Sequence, residues 1–253
     1  MDALSHFSDM QFNWPLLSAV FVLAGIVKGV VGLGLPTVAI GLLALVMPPA
    51  EAAALLILPS LFTNVWQAGP RTLWPVLKRL APMQAGIVVG TIGGAWLIGA
   101  PAGAWSSILL GVALIAYAVW GLWGSSWTCR PSLESRLGLA VGAATGIVTA
   151  ATGVFAIPAV PYLQALSFDR DALIQAMGLC FTTSTLALAA GLVLNNSLSI
   201  DHLGISMLML LPCMAGMIAG QMLRSRLSPP VFKRCFLISL VLLGVHMVAR
   251  ELL

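Results

Sequence analysis

Charge is the scarcest commodity in this chain of 253 residues: 8% are Asp, Glu, Lys or Arg, against 60% hydrophobic. With a mean hydropathy of +1.02, such a surface excludes a water-soluble domain and points to lipid as the solvent. The four cysteines, Cys129, Cys180, Cys213 and Cys235, stand singly and mostly inside apolar runs, which excludes a disulfide framework and a zinc site. They read as packing residues, and neither a metal nor a prosthetic group is expected. Short alternating strands are lacking too, so a closed β-barrel is excluded and helices must satisfy the backbone inside the bilayer. No carboxylate sits in the middle of an apolar run, so an Asp/Glu proton relay is not visible. The net charge of +4 is no nucleic-acid signal, because the basic residues fall in short loops where lipid headgroups and insertion account for them.

What the chain does have is eight long apolar segments, at about 15–47, 50–69, 80–99, 103–124, 137–166, 171–194, 203–223 and 231–249, most near the roughly 20 residues that span a bilayer. Residues 1–14 hold Asp2 and Asp9 but no Lys or Arg. They lead into a run too long for a cleaved signal peptide, so the first segment is expected to stay in the mature protein. A polar stretch from Gly124 to Ser135 divides the sequence into halves, 1–126 and 127–253, and the second half restarts the pattern of the first. AGIVKGVVGLGLP (Ala24–Pro36) answers to TGIVTAATGVFAIP (Thr145–Pro158), with Gly25 matching Gly146 and Gly32 matching Gly153. Each is followed by a helix bearing Phe62-Thr63-Asn64 or Phe181-Thr182-Thr183. This is an internal repeat.

The basic loops orient the halves. They carry Arg71, Lys78 and Arg79, then Arg130 and Arg136, then Arg224, Arg226, Lys233 and Arg234. If every segment crossed once, the last cluster would lie opposite the first two, against the positive-inside rule. The conflict vanishes if 15–47 and 137–166, both too long for one untilted span and both interrupted by Gly and Pro, go in and come back. The expected fold is therefore an all-α membrane protein of two inverted repeats, each a broken-helix hairpin plus three transmembrane helices, with both termini periplasmic. All eight Trp lie between Trp14 and Trp127, many near predicted helix ends, as interfacial anchors do.

Lys28 is the sharpest single feature, a charge with apolar neighbours on both sides. Either it faces a cavity and attracts an anion, or it snorkels towards the far interface. The run GVVGLGLP (Gly29–Pro36) lacks the strand and the Gly-Lys-Ser/Thr ending of a phosphate loop. In lipid, closely spaced glycines mean close helix packing or an unwound turn whose amides hold an anion, and the return of Gly153 and Pro158 in the second half favours paired breaks at mid-membrane. Polar stripes run along two helices: Ser60, Asn64 and Gln67, and Gln175, Gly178, Thr182 and Thr185. They either hydrogen-bond neighbouring helices or line a polar path, with Thr63, Asn64, Thr182 and Thr183 favoured by their matched positions. Thr149 and Thr152 sit where the first half has Lys28 and Val31, and one charge facing hydroxyls would suit a small oxyanion. Glu51, Asp169 and Asp171 open helices and read as structural.

Two halves that each open with a Gly-rich break ending in Pro, followed by Phe-Thr-Asn or Phe-Thr-Thr, resemble the sulfite exporter TauE/SafE family, also called the toluene sulfonate uptake permease family. The resemblance covers nearly the whole chain. It implies a multi-pass inner-membrane transporter of a small sulfur-containing anion such as sulfite, a sulfonate, sulfoacetate or thiosulfate, without a cofactor. Motif position carries over Gly29, Gly32, Gly34 and Pro36 from the first break, and Gly153 and Pro158 from the second. The second break reads GVFAIP where a more glycine-rich text is usual. Expected partners are the anion and the bilayer, with a homodimer as one assembly open to it and no nucleic acid.

The main reading is alternating access around a site between the hairpins, with no enzymatic activity. One rival is an intramembrane serine protease-like enzyme, for which Gly204-Ile205-Ser206 and His246 would supply nucleophile and base. Another is a non-transporting scaffold, which accounts for the spans but not for the repeated breaks.

Overall fold

The computed structural model describes residues 13–69, 73–124, 127–224 and 229–252. Among them are ten helices and no strand: α1 (Trp14–Val31), α2 (Leu35–Leu43), α3 (Pro49–Ala68), α4 (Leu73–Ile98), α5 (Gly103–Trp123), α6 (Pro131–Thr152), α7 (Ala159–Ala165), α8 (Arg170–Leu194), α9 (Ile200–Arg224) and α10 (Pro229–Leu252). Six of them, α1, α4, α5, α8, α9 and α10, are long and apolar enough to cross a membrane, and the chain is a multi-pass helical membrane protein. Asp2, Asp9, Arg71 and Arg226 lie outside the described residues.

Local chemistry explains the helix ends. Proline opens α1, α2, α3 and α6, where its missing N–H costs nothing. Asn13 caps α1 by accepting from the Leu16 amide at 3.1 Å, and Asp169 caps α8 by accepting from Ala172 at 2.8 Å, the structural part expected of it. Both expected interruptions are present. Gly32 ends α1 at φ +84° and Gly34 precedes α2 at φ +104°, left-handed conformations that exclude most side chains. Gly153, at φ +75°, ends α6, and α7 begins only after Pro158.

Each break turns the chain back. Gln67, near the end of α3, bonds the Gly32 carbonyl, while Ile40 of α2 and Ala53 of α3 both flank Gly153, so α2 descends along α3. Lys28 meets Thr63 and Gly32 meets Gln67, so α1 ascends along it. In the second hairpin the Tyr162 hydroxyl donates to the Glu134 carbonyl at 2.7 Å, and the Cys129 amide bonds the Ala165 carbonyl. The far end of α7 thus returns to the start of α6.

Glycine fixes how the long helices meet. Gly25 and Gly29 of α1 press against the backbone of α9 at Cys213, Met217 and Gly220, where Gly216 and Gly220 press back on Val22 and Ile26, and Gly86 and Gly90 of α4 press against α6 around Gly142 and Gly146. A Cβ on Gly29 would come within 2.9 Å of the Gly220 Cα, and one on Gly146 within 2.7 Å of the Gly90 carbonyl carbon. Where lipid supplies no hydrophobic drive between helices, such backbone contact is what holds them together. α1 and α9 run parallel, as do α4 and α6, whereas α3 lies antiparallel to α8 and α5 antiparallel to α10. When helices are matched in order, α1 with α6 through α5 with α10, the pair α1·α9 exchanges with α6·α4 and α3·α9 with α8·α4. The pairs α3·α8 and α5·α10 map onto themselves.

These directions gather Lys78, Arg79, Arg130, Arg136, Arg224, Lys233 and Arg234 at one end, where Arg79 pairs with Glu134 at 2.6 Å. Trp66, Trp74, Trp96, Trp105 and Trp123 are exposed near helix ends, as interfacial anchors should be.

Candidate functional site

At the centre of the bundle α3 carries a run of polar side chains past Pro59. The Thr63 hydroxyl donates to the Pro59 carbonyl at 2.7 Å, which leaves its lone pairs free to accept. Lys28, on the last turn of α1 and 4% exposed, uses that acceptor: its Nζ donates to Thr63 Oγ1 at 3.0 Å and to the Asn64 side-chain oxygen. Asn64 passes the connection on, donating through Nδ2 to Ser60 Oγ at 3.1 Å and to Thr185 Oγ1 at 3.4 Å. Ser60 and Thr185 hydroxyls are themselves 3.3 Å apart. One polar thread therefore joins α1, α3 and α8, with Thr63 and Asn64 fully buried.

Lys28 has no carboxylate partner; among the described residues the only ion pair is Arg79–Glu134. An ammonium has three donors, and two are used. Burying a cation in hydrocarbon costs several kcal/mol unless a negative charge or further hydrogen bonds compensate. The arrangement supplies acceptors and no counter-charge, so it suits an anion at the third donor.

Towards the basic end, two glutamines tie helices together above this thread. Gln67 Nε2 bonds the Gly32 carbonyl at 2.9 Å and the Ile174 carbonyl at 3.3 Å. Gln175 Nε2 bonds the final carbonyls of α3, at Ala68 (2.6 Å) and Gly69 (3.2 Å). These bonds lock α1, α3 and α8 around Lys28.

The candidates from the sequence divide into those that meet and those that do not. Lys28, Thr63 and Asn64 come together. Gly29 faces the α9 backbone rather than the polar thread. Gly32, Gly34 and Pro36 form the turn into α2, which no side chain caps. Thr149 bonds the Thr145 carbonyl and Thr152 the Val148 carbonyl, both at 2.7 Å within their own helix. Thr152 Oγ1 also accepts from the Val154 amide at 3.1 Å, so that amide of the second break is occupied. Thr182 bonds the Gly178 carbonyl, Thr183 is half-buried, and Pro158 caps α7 beside a cis Ile157–Pro158 bond.

Nor do the two breaks share one depth. Along α3 the first lies at Gln67 and the second at Ala53, about 21 Å apart at helical rise, with the Lys28 thread between them. The physical reason is that α1 nearly completes a span before Gly32, and α6 nearly completes one before Gly153. Ser60, Gln67, Gln175 and Thr185 belong to the polar stripes visible in the sequence but were not singled out as site residues. The Gly86/Gly90 and Gly216/Gly220 pairs were missed, although their four-residue spacing was there to be read.

Ser206 is fully buried and accepts from the Leu58 amide at 3.1 Å, while His246 is exposed. No hydrogen bond joins the two among the described residues.

Neither a curated protein nor a solved structure matches the chain. A family model does: the one described as sulfite exporter TauE/SafE matches residues 17–247, a span that takes in both hairpins, the Lys28 thread and all but the last turn of α10. On that match and on this multi-span helical fold, the chain belongs to the sulfite exporter TauE/SafE family of membrane transporters.

Proposed function

We propose that the protein carries a small sulfur-containing oxyanion across a bacterial-type inner membrane by alternating access, with Lys28 as the charge that receives it. The single observation behind this reading is a buried cation held by Thr63 and Asn64 and lacking any carboxylate partner among the described residues. An anion on the open donor completes its coordination, and the sulfur class follows from the family. Thr63 and Asn64 fix the ammonium's direction and leave its third donor for the anion.

The halves, 1–126 and 127–253, act in this reading as inverted repeats that rock about α3 and α8. The antiparallel run of α3 against α8 and of α5 against α10, together with packing pairs that exchange between halves, supports that relation. Alternating access is the motion such a relation permits, since each half can adopt the other's conformation. The basic end faces the cytoplasm by the positive-inside rule, which leaves both termini periplasmic.

The test is flux into liposomes holding the purified protein, with labelled sulfite, a sulfonate and thiosulfate offered separately, with and without a pH gradient. At least one should enter faster than into empty vesicles, and Lys28→Met should abolish the difference. Equal flux through Lys28→Met would remove Lys28 from the mechanism, and no flux of any of the three would remove the substrate class.

A further inference from the structure

The basic end carries a second feature, apart from the Lys28 thread. Where α5 and α10 cross, Gly121 brings the helices so close that a Cβ there would lie 2.7 Å from Leu237. That contact floors two adjoining hollows, of about 170 and 450 Å³, which share Gly121, Lys233 and Leu237. The smaller is walled by Trp120, Trp127, Tyr117 and Gln164. The larger adds Arg234 and an apolar side of Leu122, Val231 and Ile238 that opens along the outside of the helix pair.

Three observations name the occupant. First, Lys233 and Arg234 form no hydrogen bond or ion pair among the described residues, and no carboxylate lines either hollow. Second, Tyr117 lines the smaller hollow, and its hydroxyl forms no hydrogen bond among the described residues. Third, Trp120 and Trp127 are partly exposed at the end of the bundle that carries the basic residues, the depth at which indoles mark the headgroup layer. Lys233, shared by both hollows, stands between Arg234 in the larger and Tyr117, Trp120 and Trp127 in the smaller, and the apolar side of the larger leads along the helix pair.

We propose that this groove binds one anionic phospholipid, its phosphodiester held by Lys233, Arg234 and Tyr117 and its acyl chains laid against Leu122, Val231 and Ile238. Cation pairs between membrane helices recognise anionic headgroups in this way, and the apolar side distinguishes a lipid from a free anion. The site sits on the α5·α10 seam, where a bound lipid would brace the two helices that the halves contribute to it.

The experiment is quenching of intrinsic tryptophan fluorescence in the purified, delipidated full-length chain by brominated phosphatidylglycerol and brominated phosphatidylcholine in detergent. The glycerol lipid should quench at a mole fraction on the order of tenfold lower than the choline lipid, and the preference should vanish in K233Q/R234Q. It should survive in K78Q, which removes a cation at the same end but outside the groove. W120F/W127F should remove the lipid-specific component of the quench. Inorganic phosphate at millimolar concentration should leave the preference intact. Equal quenching by both lipids, a preference that persists in K233Q/R234Q, or one that inorganic phosphate abolishes would each overturn the proposal, the last in favour of a free-anion site. Size-exclusion profiles identical to that of the unaltered chain show that the variants are folded, since Lys233 and Arg234 support no other contact.

Discussion

Lys28 and Thr63 are joined by a hydrogen bond of 3.0 Å, and the hydroxyl that accepts it has already given its proton to the Pro59 carbonyl. Thr63, whose hydroxyl also lies 3.1 Å from the Ser60 carbonyl, thereby meets the ammonium as an acceptor. That back-bond to the preceding turn is the usual one for a helical threonine, and it leaves the hydroxyl's lone pairs facing α1, where Lys28 lies.

Replacing Lys28 by Met keeps the length of the side chain and removes the charge. Transport should fall by about a hundredfold, the order expected when a charged hydrogen bond to ligand is lost, while the melting temperature in detergent should hold or rise, because an unpaired buried cation is a liability to the fold. A lysine that served only structure would give the reverse, a lower melting temperature with residual flux in whatever remained folded. Measuring both in one preparation separates the two roles.

Asn64→Asp makes the opposite change, since it places a carboxylate on the atom that now accepts from Lys28. An internal counter-charge should compete with the substrate anion for the ammonium. The variant should melt higher than the unaltered chain and transport at least tenfold more slowly, whereas Asn64→Leu should lose both stability and flux. Normal flux in Asn64→Asp would mean that the anion does not bind at Lys28.

The hairpin turns can be tested one glycine at a time. Gly34 sits at φ +104° with the Phe236 ring and Val27 3.1 Å from the place of a Cβ, so Gly34→Ala should cost about 1–2 kcal/mol for the left-handed backbone alone and more for the contacts. Gly32, at φ +84°, has open space around it, and asparagine is tolerated at such a helix end. Gly32→Asn should therefore retain most of the stability. Denaturation of the two variants in detergent checks the order, which would be reversed if the contacts around Gly32 were the tighter.

The fold was legible because its signals are periodic or compositional: apolar segments long enough to span, glycines at one offset in both halves with a proline after each break, and basic loops that could share an end only if two segments turned back. The site was legible in part. Lys28, Thr63 and Asn64 stood out as polar groups in apolar text, and they meet. Thr149 matches Lys28 in the repeat, and its hydroxyl bonds the Thr145 carbonyl one turn back on its own helix, as that of Thr63 bonds Pro59. Sequence matching also could not give depth. The length of α1 before its break and of α6 before its own decides where each turn falls, and those lengths set the breaks on either side of Lys28 rather than together. The glycine pairs on α4 and α9 lie outside the repeated breaks, and their signal is the four-residue spacing of packing glycines.

The direction of the two hairpins makes a last prediction about sidedness. If both α1–α2 and α6–α7 return to the side they came from, Lys78, Arg136 and Arg234 share a face and Ala102 and Ser199 share the other. Of the native cysteines, Cys129, Cys180 and Cys213 are buried and Cys235 is exposed, so Cys235→Ser gives a background with little reactivity to an impermeant maleimide. Single cysteines introduced at Lys78, Arg136 and Arg234 should then label only from the cytoplasmic side of membrane vesicles, and those at Ala102 and Ser199 only from the periplasmic side. Each hairpin that crossed instead of returning would flip every later residue. One such hairpin in the second half would put Arg234 opposite Arg136, and with it the basic cluster would be split in the way that the positive-inside rule disfavours. Labelling of Arg136 and Arg234 from opposite sides would therefore remove both the inverted relation of the halves and the cytoplasmic assignment of the basic end, because the two rest on the same pair of turns.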